Sequence, residues 1–218
     1  RGKTAIARTG MSRPLTMALG DTIVTPEMTV LDYGCGRGAD IQALQVAGIA
    51  CQGWDPVHRP QDGPSPADVV MLSYVINVIE DVGERAAVVT HAWSLARRTL
   101  VVATRLRQDA AVMSLTPYAD GWMTRRNTFQ KFYEQAEARD WIEQVLGVPV
   151  TPAAPGLFYV FRSEGERQSF LANRVTRSRM ARPRIDLRDL FEQHKELLEP
   201  LIDFVLDHGR VPEPDELL

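Results

Sequence analysis

The stretch Val30-Leu31-Asp32-Tyr33-Gly34-Cys35-Gly36-Arg37-Gly38-Ala39-Asp40 decides the fold. Its start completes a short apolar run, 28–33, closed by glycines, which is the pattern of a strand buried on both faces. Three glycines at alternate positions follow. Residues 40–47 (DIQALQVA) then show helical spacing and stop at Gly48, a C-cap signal. Glycine lets the backbone turn tightly and lets a ligand approach with no Cβ in the way. The helix that follows presents unpaired N–H groups toward the same point.

Reading outward, 49–54 predicts a second strand ending at Asp55, and 56–66 is a proline-rich loop. Residues 68–72 (DVVML) and 99–104 (TLVVAT) predict a third and a fourth strand, with a helix over 84–97 between them. Strands alternating with helices predict a parallel sheet in a doubly wound α/β fold. Only the residues 56–67 separate Asp55 from Asp68, too few for a helix plus a strand, so the proline-rich loop must replace both. Residues 128–145 predict a helix, and 148–151 with 157–161 a closing antiparallel hairpin. The expected organisation is a helical segment over 1–28 whose helix ends near Gly20, a binding domain over 29–163 with an insertion at 105–145, and a helical extension over 164–218 divided by Pro183.

Bulk properties narrow the class. Apolar residues make up 44% of the 218 and charged residues 24%, an ordinary globular mix. No run of 18 apolar residues predicts a membrane helix. The first twenty residues carry no signal-peptide core, and the numbering, which starts at Arg1, reads as beginning inside a longer or processed chain. Cys35 and Cys51 cannot build a disulfide framework, and the four histidines are too scattered to join them in a metal site. A reducing, cytoplasmic setting is expected. The net charge of −3 gives no global attraction for nucleic acid, so any such contact must be local.

Asp32 guides the choice of ligand. A dinucleotide loop needs its N–H donors free for a pyrophosphate, which a carboxylate at that spot repels. The same carboxylate suits the cationic methionine end of S-adenosylmethionine, with Gly34, Cys35, Gly36 and Gly38 around it. Asp55 ends the second strand, where a carboxylate can accept ribose hydroxyls of either cofactor, and Trp54 and Tyr33 stand beside it. The loop alone remains ambiguous, because Ala39 also completes a G-x-G-x-x-A pattern. Ser73 and Tyr74 lie at the exit of the third strand, where such folds form their crevice, and Asn77 is a further contact candidate. Val75, Ile76, Val78 and Ile79 read as a helical core face. A partner for an adenine amine has no firm position; Asp62 is the candidate.

Methyl transfer requires positioning and, for some acceptors, proton removal. The chain lacks [DN]-P-P-Y at the third strand exit, where exocyclic base-amine methylation would place it, and lacks a Pro-Cys nucleophile for cytosine carbon-5 chemistry. The insertion 124–135 (TRRNTFQKFYEQ) mixes cations with aromatics. Arg125, Arg126 and Lys131 are candidates for an anionic acceptor, Phe129 for a wall of its pocket, and Tyr133 or Glu134 for a base. The plain alternative is an amphipathic helix with Phe129, Phe132 and Trp141 in the core. Lys3, Arg8 and Arg13 are weaker pocket candidates. Arg174, Arg177, Arg179, Arg182, Arg184 and Arg188 form a basic run that could hold a phosphate backbone, or else a solvated face paired with the acidic residues of 189–218.

Eight segments carry a family resemblance: GKTAIAR (2–8), MSRPL (11–15), DYGCGRG (32–38), GWDP (53–56), YVINVIED (74–81), TFQKFYEQ (128–135), APGLFYVF (154–161) and LFEQH (190–194). Together they resemble the DNA phosphorothioation-associated methyltransferase family across nearly the whole chain. The resemblance implies a Rossmann-like class I methyltransferase fold, with S-adenosyl-L-methionine on Asp32, Gly34, Gly36, Gly38 and Asp55. It assigns no catalytic residue and no acceptor. The expectation is a methyltransferase acting on a small molecule or a nucleic-acid-linked group. A module that senses the cofactor within a DNA-modification system, without transfer, is the alternative, and a dinucleotide oxidoreductase the third reading.

Overall fold

The computed structural model describes residues 10–61, 63–111, 113–179, 192, 194–208 and 212. The chain runs through α1 (Arg13–Gly20), β1 (Val30–Tyr33), α2 (Ala39–Val46), β2 (Cys51–Trp54) and β3 (Ala67–Ser73). A 3-10 turn (Ile76–Val78) leads into α3 (Val82–Leu95) and β4 (Ala96–Ala103). The insertion supplies β5 (Leu115–Tyr118), β6 (Gly121–Thr124) and β7 (Phe129–Gln130). Then come α4 (Gln135–Leu146), β8 (Thr151–Ala154), β9 (Leu157–Phe161), α5 (Glu164–Arg179) and α6 (Lys195–His208).

The main sheet has the order β2-β1-β3-β4-β9-β8. Its first four strands are parallel, and β9 closes antiparallel on β4. All four residues of β1 are buried, as a central parallel strand covered on both faces requires. On one face Leu31, Leu72, Leu100 and Phe158 pack with Val89 of α3 and Ile142 of α4. Each fully buried leucine contributes about 2 kcal/mol by leaving water. On the other face Leu15 of α1 and Leu44 of α2 are fully buried. Helices on both faces of a mostly parallel sheet make the doubly wound α/β fold that the strand–helix alternation predicts. The crevice of such a fold lies where the strand order reverses, here above the ends of β1 and β3.

The proline-rich loop does replace a helix and a strand, which leaves β2 at the sheet edge. The Asp55 and Arg59 backbones pair both ways, Arg59 N–H donating to Asp55 O at 2.9 Å. The Gln52 side chain then pins the returning loop, donating to Gly63 O and accepting from Ser65 N–H, each at 3.0 Å.

The helix expected over 128–145 begins seven residues later. Phe129 and Gln130 form β7 against β6, completing a three-stranded antiparallel sheet β5-β6-β7. Aromatic residues favour the pleated, half-buried surface that β6 offers. Helix α4 starts only after Glu134, whose N–H donates to the Glu137 carboxylate at 3.1 Å and so fixes the first turn. The closing hairpin stands as predicted in kind, with β8 shifted to Thr151–Ala154.

The chain divides into two compact units, Arg1–Phe170 and Leu171–Leu218. In the first, Phe170 packs edge-on against Tyr159 at 5.2 Å between ring centroids. In the second, α6 is a helix with Pro200 inside it. Arg174 is exposed on α5. Arg182, Arg184 and Arg188 of the basic run lie outside the described residues, as do the side chains of Arg177 and Arg179.

Candidate active site

The glycine loop turns because its backbone adopts conformations that other residues resist. Gly34, Gly36 and Gly38 all have positive φ, +83°, +53° and +80°. A Cβ at Gly34 would collide with the Val75 side chain, and one at Gly38 would lie 2.7 Å from the Arg59 guanidinium. The loop is anchored from β2: the Trp54 carbonyl accepts from Gly34 N–H at 2.7 Å and from Cys35 N–H at 3.1 Å. Gly38 caps α2 with no side-chain hydrogen bond, so the helix start faces the crevice as backbone.

Asp55 organises this wall. One carboxylate oxygen accepts from Val57 N–H at 2.9 Å and His58 N–H at 2.8 Å; the other accepts from Gly36 N–H at 3.1 Å. Three of its roughly four lone-pair places are therefore used by the backbone, and a ligand hydroxyl can have the fourth. Asp40 is buried and accepts from Ser12 N–H at 2.7 Å, which brings the start of α1 to the glycine loop. Asp32 is 5% exposed at the end of β1. Tyr33 lies under Trp54 at 4.8 Å between ring centroids and hydrogen-bonds His91 Nδ1 at 3.0 Å. Burial, with Asp32 beside it, pushes the Cys35 thiol up to about 12, so this sulfur stays protonated and serves as packing.

These residues line a cavity of about 970 Å³, within the range of small-molecule sites. Asp32, Tyr33, Gly34, Cys35 and Gly36 border it, and so do Trp54, Asp55, Ser73 and Tyr74. Gly38 does not; it supports the loop from behind, against Arg59. Tyr74 holds φ +61° at the exit of β3, an uncommon conformation for a tyrosine and a sign of constraint at the crevice. Met11 and Val57, 43% and 57% exposed, sit at the rim, so the cavity opens to the surface.

The insertion residues chosen from sequence are not brought to this cavity. Tyr133 is 2% exposed within the core, its hydroxyl lies beside the Arg85 guanidinium, and burial pushes its phenol up to about 12; it is not placed as a base. Glu134 is exposed ahead of α4 and pairs with Arg107 at 3.4 Å. Arg125 and Arg126 occupy an exposed turn, Phe129 is buried beneath the Arg85 guanidinium, and Lys131 pairs with Glu137 at 2.9 Å and Asp120 at 3.7 Å. The reason is the strand: in β7 the side chains alternate, and Gln130, not its neighbours, faces the cavity. Asn77 is a structural tie, donating to Lys131 O and accepting from Arg105 N–H. Asp62, Lys3 and Arg8 lie outside the described residues.

Sequence reasoning missed Arg105, Gln130, Glu84 and Gln108, all of which line the cavity. Arg105 follows β4 at its carboxyl end, and the rule that selected Ser73 after β3 would have selected it too. Among the described residues no group of three or more His, Cys, Asp or Glu side chains could hold a metal ion.

No family model and no curated protein matches the chain. Solved structures do. A sugar N-methyltransferase from Streptoalloteichus aligns with a TM-score of 0.51 at 13% identity, over 70% of this chain and 87% of its own. A 1,6-didemethyltoxoflavin-N1-methyltransferase from Burkholderia thailandensis, bound to S-adenosylhomocysteine, gives 0.47 at 17% identity, over 67% and 74%. Magnesium protoporphyrin IX methyltransferase from Synechocystis, also with S-adenosylhomocysteine, gives 0.46 at 18%, over 68% and 80%. The fold is therefore the Rossmann-like α/β fold of class I methyltransferases.

Proposed function

We propose that this chain is an S-adenosylmethionine-dependent methyltransferase. The observation that carries the reading is the acidic wall of the cavity. Asp32, Asp40 and Asp55 gather around a glycine loop whose approach no Cβ blocks. That donor set opposes a pyrophosphate and suits a ligand bearing a sulfonium and an ammonium. S-adenosylmethionine, when bound, supplies an activated methyl group.

The residues around it orient and exclude. Asp55 offers one remaining acceptor place to a ribose hydroxyl while holding the Gly36 N–H and the 57–58 turn in place. Trp54, Tyr33 and Tyr74 wall the site. Arg13, whose guanidinium donates to Pro155 O at 3.0 Å, stands close to the loop through Ser12 and Asp40, where a ligand carboxylate would meet it. Rate enhancement then rests on in-line positioning, and no general base is assigned. The open rim supports turnover over a sealed sensing module.

Calorimetric titration of S-adenosylmethionine and S-adenosylhomocysteine into wild type and Asp55→Ala tests this. Saturable binding that weakens at least tenfold in the variant is the expected result, about 1.4 kcal/mol. Failure of both ligands to bind folded wild-type protein sinks the reading. Binding without transfer to any acceptor returns the sensing alternative.

The quoted family segments extend the proposal to a DNA phosphorothioation-associated role in the cytoplasm, on a small molecule or a nucleic-acid-linked group. Among the described residues no helix is long and apolar enough to cross a membrane. The basic run from Arg174 to Arg184, with Arg177, Arg179 and Arg182, is proposed as its nucleic-acid contact. Acceptor screening begins with phosphorothioate and ordinary DNA.

A further inference from the structure

We infer that the acceptor carries an anionic group, a carboxylate or phosphate-type oxyanion, which Arg105 and Gln130 receive where the end of β4 and β7 border the cavity. This rests on the methyltransferase reading and names the substrate class for it. Three arginines line the cavity, Arg13, Arg37 and Arg105, and none has a carboxylate within ion-pair distance among the described residues. Arg37 belongs to the glycine loop, and Arg13 adjoins it through the Ser12–Asp40 bond, so these two serve the one carboxylate of the cofactor. Arg105 is the surplus cation. Its place is the exit of β4, beside the insertion.

Its backbone is fixed on both sides. Arg105 N–H donates to Asn77 Oδ1 at 3.1 Å, and Arg105 O accepts from Tyr133 N–H at 3.0 Å. Among the described residues, its half-buried guanidinium hydrogen-bonds only the Met113 sulfur, at 3.8 Å. A cation partly withdrawn from water, with no carboxylate beside it, is unfavourable until an anion meets it. Gln130 adds a second unfilled group. It is 8% exposed, lines the same cavity, and its side-chain amide has no partner among the described residues. Asp109 also borders the cavity, and one of its carboxylate oxygens accepts from Leu106 N–H at 2.9 Å, which holds it to the turn after β4. A guanidinium fork with an amide donor is the donor set that a carboxylate or phosphate takes up, with the fork fixing its orientation.

The test uses protein saturated with S-adenosylhomocysteine and three probes, benzoate, phenyl phosphate and neutral benzamide, followed by ligand-observed NMR titration. At least one anion is expected to bind about tenfold or more tighter than benzamide, as a charge-assisted pair predicts. Arg105→Gln is expected to cut anion affinity about tenfold, with benzamide affinity kept within twofold; Arg105→Lys, which keeps the charge and loses the fork, falls between. Gln130→Leu is expected to weaken the anion about threefold. Anions that bind no tighter than benzamide to the wild type, or equally well to Arg105→Gln, overturn the inference and leave the methyltransferase reading standing. Should Arg105→Gln fail to fold, the wild-type preference and Arg105→Lys decide it. Wild-type protein that does not take up S-adenosylhomocysteine overturns both.

Discussion

The glycine-loop wall and the insertion wall of the cavity are held by different means. On the first, the loop of residues 34–38 is closed by backbone groups from the adjacent strand and by Asp55, only 19 residues from its partner Gly36. On the second, β5 to β7 are tied down by side chains from distant positions. Arg85 reaches Asp120 across 35 residues at 2.8 Å and also donates to the Ile79 carbonyl, while Asn77 spans 54 residues to Lys131. A wall closed by local backbone geometry is legible in a short motif. A wall closed by long-range side-chain pairing depends on which distant residues arrive.

The largest expected effect falls on the insertion wall. Arg85 is 2% exposed, and its loss leaves two carbonyls unpaired and Asp120 with Lys131 alone among the described residues. Arg85→Met should cost about 3 kcal/mol, seen as a fall of about 6–12 °C in thermal midpoint. Hydrogen exchange should quicken across 113–131 and stay slow across 30–40. Equal acceleration of both segments would erase the contrast between the walls.

A smaller effect belongs to the glycine loop. With its thiol pushed up to about 12 by burial and by Asp32, Cys35 should react with iodoacetamide at pH 8 about fiftyfold or more slower than an exposed cysteine, because so little thiolate is present. Peptide mapping separates it from Cys51, whose thiol is also raised. The sign for stability follows from proton binding. The folded state keeps a proton that the unfolded chain releases above about pH 8.5, so this group lowers stability as pH climbs from there toward 12. Fast alkylation at pH 8 would show a loop looser than its hydrogen bonds imply.

The smallest effect sharpens the comparison by being nearly nil. Tyr133→Phe removes a buried hydroxyl beside the Arg85 guanidinium, which Asp120 and the Ile79 carbonyl already hold, so stability should move by less than about 1 kcal/mol. Cofactor affinity and transfer rate should stay within twofold. A large loss of rate with intact cofactor binding would restore Tyr133 as a participant in the chemistry.

The sequence by itself determined the strand–loop–helix unit of residues 30–46, the acidic residues Asp32 and Asp55, and the parallel order of strands around them. Each follows from short-range physics: apolar runs that must be buried, glycines that alone tolerate the turn, and a chain too short between Asp55 and Asp68 for another crossover. The insertion was a different matter. Its aromatics and cations fit a helical spacing as well as a strand, because segments of this length satisfy either period until something packs against them. Only the tertiary structure decided that Phe129 turns inward under Arg85, that Lys131 is spent on Glu137 and Asp120, and that Gln130 and Arg105 are left facing the cavity. Which charges remain available to a ligand depends on which others have found partners, and those partners come from far along the chain.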